Sequence, residues 1–210
     1  MPQSHNAEPS VPAVLDIVER AVLAVMFSFF AWGLLRSFLD TGNFLSLMLL
    51  VSEGAVVVFV LIRRPTGEIS IRPIDWAIAF IGTALPLFAK PDGEPLVAPL
   101  FCAIVMLFGI SLQLAAKLTL RRSFGVVAAN RGVKVSGPYR FVRHPMYAGY
   151  VLTHIGFLLA NPAFANLAVY VAAFGCQLAR ILAEENILSR DPAYRDFAQS
   201  VRYRLLPGIF

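Results

Sequence analysis

Charge is scarce in this chain. Acidic and basic residues fill 15% of its 210 positions, against about 25% in an ordinary soluble domain. There are three histidines and two cysteines, with no CxxC pair and no Cys/His ligand spacing. The common structural zinc modules are therefore excluded, and no metal is expected. Cys102 and Cys176 each fall within an apolar run, where a free thiol behaves as a small buried hydrophobe. There is no internal repeat and no low-complexity tract. Residues 1–12 carry no basic stretch ahead of the first apolar run, so that run is expected to stay in the mature protein instead of leaving as a signal peptide. The formal net charge of +5 and pI near 9.6 do not point to a nucleic acid partner. The arginines sit at the ends of apolar segments, where membrane topology places them.

Apolar residues dominate what is present: 58% of the chain is hydrophobic, with a mean hydropathy of +0.68. They occur in runs, and a helix needs about 20 such residues to cross roughly 30 Å of hydrocarbon. Runs at 14–39, 44–62, 74–89 and 96–120 predict four helical segments. Asp16, Glu19 and Arg20 make the start of the first amphipathic. Pro86 kinks or ends the third. Residues 121–143 are basic and only intermittently apolar, and cannot span. An apolar hairpin follows over 146–183, broken at Asn161-Pro162, with a first arm of marginal length. The expectation is an all-α, polytopic integral membrane helical bundle. It has five or six membrane segments, including the C-terminal helical hairpin. Residues 1–120 would form a transmembrane scaffold and 121–210 a cofactor-binding, catalytic region. Arg63, Arg64, Arg72, Arg121, Arg122, Arg131, Lys134, Arg140 and Arg143 fall on one side if both termini share it. The positive-inside rule makes that side cytoplasmic.

Two ionisable residues interrupt the apolar runs. Glu53 lies mid-segment, and an intramembrane carboxylate is a functional-site hypothesis by default. His154 lies in the hairpin's first arm, where a lone helical histidine is more often a packing residue. Two clusters are more informative because they complement each other. In Gly137-Pro-Tyr-Arg-Phe-Val-Arg-His-Pro-Met-Tyr-Ala-Gly149, the residues before proline are held away from helix. Pro145 suits the first turn of the helix that follows. His144 then stands at the N-cap, beside free N–H groups and the positive end of a helix dipole, and Arg140 and Arg143 add charge for an anion. Tyr139 and Tyr147 supply aromatic faces. In the second cluster, Arg180 and Glu184 are i,i+4 neighbours able to share one helix face, while Glu185 points about 100° away. The hairpin returns this helix end to the side of His144. Such a set suits a zwitterionic or sugar-bearing cofactor; interfacial anchors with a salt-bridged helix end are the alternative.

These residues, together with a tail ending Leu205-Leu-Pro207, resemble the isoprenylcysteine carboxyl methyltransferase family over about the last 85 residues. The resemblance implies S-adenosylmethionine as methyl donor and a lipophilic or lipid-modified acceptor entering from the bilayer. It implies that His144, Tyr147 and the backbone from Val133 to Gly137 line the cofactor pocket. Glu184 and Glu185 would help to hold the cofactor, and Arg180 and Arg202 would face the transfer region. The chain departs from the family in having Arg131 where many members carry histidine. It is also shorter between Glu185 and Tyr194, and it lacks a proline after Val201. A carboxylate acceptor would need no general base; an amine or hydroxyl would, with Glu184, Glu185 or His154 as candidates. Membrane sterol reductases have a similar C-terminal pattern. An NADPH-dependent reductase, with Arg121, Arg122 and Arg131 as a phosphate clamp, is therefore one alternative, and a non-catalytic membrane protein is another.

Overall fold

Prolines and a glycine punctuate the apolar runs where helices begin and end. A computed structural model describes residues 10–42, 44–208 and 210, without the side chains of 41, 44–49, 52 and 53. Glu53 therefore lies outside the described side chains. Helix α1 (Val11–Thr41) starts on a proline in its first turn and closes on Gly42, whose N–H bonds Phe38 O at 2.8 Å. It pairs with α2 (Phe44–Ile62). Helix α3 (Pro73–Ala84) opens on its own proline and tightens into a 3-10 turn, Leu85–Phe88, that contains Pro86. Helix α4 (Pro99–Leu120) ends at Arg121, whose φ of 46° turns the chain sharply. The hairpin comprises α5 (Pro145–Ala160) and α6 (Phe164–Leu188). A short amphipathic helix, α7 (Pro192–Ser200), is capped by Asp191, whose side chain accepts from the Ala193 N–H.

This is the all-helical membrane architecture expected. Among the described residues, Val11–Asp40, Pro99–Ser123 and Phe164–Leu188 are long and apolar enough to cross a membrane. The apolar stretches Pro73–Phe88 and Pro145–Ala160 are shorter. At 1.5 Å per residue the 16 residues of α5 reach only about 24 Å. The four N-terminal segments fall where the runs predicted, within a few residues at each end.

Helices α4 and α5 approach closely through glycines. A Cβ at Gly149 would lie 2.7 Å from Gly109 O and 2.9 Å from Gln113 N, and one at Gly109 would lie 2.6 Å from Thr153 N. Small residues that let backbones meet are the usual basis of helix pairing in lipid, where apolar side chains gain little by leaving the tails. Helix α3 packs on α6 in the same manner, with Gly82 against half-buried Cys176; Cys102 is buried on α4.

The basic stretch after α4 does not span; it folds beneath the helices. Ser70 N donates to Ala128 O and Asn130 N to Glu68 O, both at 2.9 Å, pinning the connector before α3 to this stretch. Phe124, Val126, Val127 and Ala128 are buried there. Residues 16, 19, 63 and 131 form a buried ion cluster beside them. Arg131 Nη2 lies 2.8 Å from Asp16 Oδ1 and 2.8 Å from Glu19 Oε2, and Arg63 reaches the same two carboxylates at 3.0 Å. The acidic start of α1, read as an amphipathic entry turn, is thus a partner for distant arginines. Helix α1, the end of α2 and the stretch after α4 meet at this interface.

Candidate functional site

The segment from 137 to 147 is shaped by its breakers. Gly137 has φ +59°, and a Cβ there would lie 2.8 Å from Thr119 Oγ1, so this turn against α4 requires glycine. A 3-10 turn, Gly137–Arg140, follows, burying Tyr139. His144 is the N-cap of α5 and Pro145 its first residue, as the His-Pro pair predicted. The His144 N–H is taken by Arg204 O at 2.8 Å, and the Arg143 N–H by Tyr203 O at 2.9 Å. The C-terminal tail therefore lies along the entrance to α5.

Helix α6 brings two carboxylates to this place, and His144 bridges them. Its Nε2 lies 3.2 Å from Glu185 Oε1 and its Nδ1 lies 3.7 Å from Glu184 Oε2. Because adjacent helix positions diverge by about 100°, the two glutamates gather different neighbours. Glu184 accepts a hydrogen bond from the Tyr147 hydroxyl. Glu185 accepts from Arg204 Nε at 2.8 Å and from the Tyr194 hydroxyl at 3.2 Å, with Arg143 Nη1 at 3.4 Å. Arg180 is buried under the Tyr147 ring, its guanidinium carbon 5.2 Å from the ring centre, and Nη2 donates to Val126 O at 3.0 Å. Arg180 and Glu184 share the expected face, with Tyr147 touching both. Burial, then the nearby Glu184, pushes the Tyr139 phenol well above its ordinary range. Burial, followed by Glu185, does the same to Tyr194. Both phenols are neutral at physiological pH, and that of Tyr194 donates to Glu185.

A cleft opens beside the bridge. Its empty space is about 740 Å³ when the open solvent at its mouth is counted, of which about 90 Å³ is enclosed. Val133, Lys134, Tyr139, Arg143, His144, Tyr147 and Glu184 line it, with Leu120, Met146, Leu188 and Phe197 as apolar wall. Arg143 also keeps a buried Nε that has no hydrogen-bond partner. Gly137, Pro145 and Glu185 support this wall without lining the cleft, and Arg180 lies behind Tyr147. Arg202 is exposed and outside the cleft. The tail arginine at Glu185 is Arg204, which the sequence reading did not single out. Tyr194 and Phe197 were also missed; the strong amphipathicity of α7 is the signal that could have found them. His154 is a packing residue here, stacked on Tyr170 with ring centres 4.4 Å apart. Among the described residues no group of His, Cys, Asp and Glu could hold a metal.

The model of the isoprenylcysteine carboxyl methyltransferase family matches residues 101–190. A curated relative from Arabidopsis thaliana, protein-S-isoprenylcysteine O-methyltransferase A, is 34% identical over 111 residues. That alignment takes in 48% of this chain and 55% of the relative, so the chain spans about half the length of the curated relative it matches. The matched residues include the 137–149 motif, His144 and both glutamates of α6. Through the part of the chain that carries the cleft, both comparisons support the isoprenylcysteine carboxyl methyltransferase family.

Proposed function

We propose that this protein is an integral membrane methyltransferase that uses S-adenosylmethionine to methylate a lipophilic acceptor, with a carboxylate as the group modified. The observation that carries this reading is the His144 bridge between Glu184 and Glu185 at the wall of a mixed polar and apolar cleft. On this reading the basic face and both termini are cytoplasmic. The cofactor then arrives from water and the acceptor from lipid.

The residues present fit such a cofactor. Glu184 offers carboxylate oxygens to an ammonium or to ribose hydroxyls. Arg143, with its unpartnered Nε, and Lys134 offer positive charge to a carboxylate. Tyr139 and Phe197 supply faces for a purine. When bound, the cofactor supplies a methyl group on a sulfonium, open to in-line displacement. The chain's part is then to align the acceptor and keep water away. Arg180, buried behind Tyr147, places fixed positive charge behind the cleft wall. A carboxylate acceptor would already be ionised at neutral pH, so no residue of the cleft would have to take a proton from it. The Tyr147 hydroxyl holds Glu184 in place.

Calorimetry on the detergent-purified protein with S-adenosylhomocysteine and, separately, NADPH tests this. Labelled methyl transfer to a panel of lipophilic carboxylates, a prenylated cysteine among them, then finds the acceptor. Binding of S-adenosylhomocysteine is expected. Binding of NADPH alone would overturn the methyltransferase reading in favour of the reductase, and binding of neither would favour a non-catalytic membrane protein.

A further inference from the structure

Glu19 lies on α1, far in sequence from the motif and outside the residues that match the family. It is fully buried. Its Oε1 accepts from two successive backbone amides, Val126 N and Val127 N, both at 2.9 Å. Its Oε2 takes Arg131 Nη2 at 2.8 Å and Arg63 Nη1 at 3.0 Å. Three of these four contacts, those to Val126, Val127 and Arg131, lead to the site. Val127 and Arg131 line the cleft, and Val126 O holds Arg180 Nη2 at 3.0 Å. A single carboxylate therefore fixes both a cleft wall and the backbone on which Arg180 rests. With Asp16, it balances the charges of Arg63 and Arg131. Without Glu19, Asp16 alone would face the buried guanidinium groups of Arg63 and Arg131.

We propose that Glu19 is a positioning residue for the site: from the N-terminal scaffold it holds the Val126–Val127 turn and Arg131 so that the cleft and Arg180 keep their binding geometry. Arg131, where the family commonly has histidine, is then the cleft-side end of a clamp that reaches α1. This inference rests on the proposed methyltransferase reading for its ligand, but its geometry can be tested without one.

The test compares wild type, Glu19→Gln and the charge-balanced double variant Glu19→Gln/Arg131→Gln in detergent. The Gln side chain can still accept from the two amides but no longer pairs with the arginines. Glu19→Gln is expected to weaken S-adenosylhomocysteine binding per folded molecule roughly tenfold, and the double variant to recover part of that loss, the signature of coupled neighbours. A purely structural role would lower thermal stability and leave the affinity of the folded fraction unchanged; that result overturns the proposal. Hydrogen exchange of residues 123–134 supplies the ligand-free arm. Faster exchange confined to this stretch and to 179–184 supports the clamp, while an unchanged pattern overturns it. If wild type binds no S-adenosylhomocysteine, the methyltransferase reading fails, and the exchange arm still decides the clamp. If Glu19→Gln does not fold, the double variant carries both measurements: wild-type affinity and exchange would overturn the proposal, and altered values would support it.

Discussion

Arg204 donates from Nε to Oε2 of Glu185 at 2.8 Å, while its own backbone carbonyl accepts the N–H of His144. One residue of the tail thus contacts both the carboxylate and the histidine that bridges to it. The tail is part of the site, and a carboxylate flanked by Arg204, Arg143 and His144 is held in one orientation.

The two tail arginines should therefore behave differently. Arg204→Gln is expected to weaken S-adenosylhomocysteine binding several-fold, a modest effect because the side chain is 32% exposed and screened by solvent. Arg202→Gln should leave affinity unchanged, because Arg202 is exposed and outside the cleft. Calorimetry on both variants checks the contrast. A loss at Arg202 equal to that at Arg204 would contradict the placement of the tail.

Removing the carboxylate shared by these groups should have a larger effect. Glu185→Ala leaves His144, Arg143, Arg204 and Tyr194 without their common acceptor. Affinity should fall roughly ten- to hundredfold, the scale of about 1.5–3 kcal/mol for a hydrogen bond to a charged group. Tyr147→Phe removes one donor to Glu184 and keeps the ring over Arg180. Its loss should be smaller, roughly the 1 kcal/mol of a typical hydrogen bond. Equal losses in the two variants would mean that Glu185 is not the organising carboxylate.

Alkaline titration should report on the cleft. The Tyr139 and Tyr194 phenols are raised above the ordinary value of 10.0, chiefly by burial. Their unfolded counterparts ionise first, so the stability they contribute is complete below about pH 10 and is lost as pH rises toward the folded values. Thermal melts between pH 9 and pH 12 should show this decline, and Tyr194→Phe should flatten it. Phenolate absorbance that develops fully near pH 10 in the folded protein would rule out the burial of both residues.

The glycine seam supports the site mechanically. Gly149→Val would drive side-chain carbon into Gly109 O and Gln113 N, both backbone atoms that cannot swing aside. Overpacking of this kind typically costs about 1–3 kcal/mol. Because α5 begins at His144, its displacement should also weaken cofactor binding. Gly33→Val is the control, since a Cβ there meets nothing within 4 Å. Thermal midpoints and affinities measured side by side test the difference.

What the sequence determined by itself was local. Runs of apolar residues specify membrane helices because each backbone group in lipid must be satisfied within its own segment. Prolines 12, 73, 99 and 145, and Gly42 after α1, mark helix ends through their own backbone restrictions. The His-Pro pair placed His144 at the start of α5, and the i,i+4 spacing placed Arg180 and Glu184 on one face. Only the tertiary structure decided the partnerships between distant residues. Asp16 and Arg131 meet across 115 positions, and Glu19 and Val126 across 107. No periodicity encodes such a pair; it exists because α1 packs beside the 126–131 stretch. The choice of Arg204 over Arg202 has the same origin. Two arginines separated by a single tyrosine look equivalent in sequence, and the backbone bond from His144 N to Arg204 O sets which of them lies at Glu185.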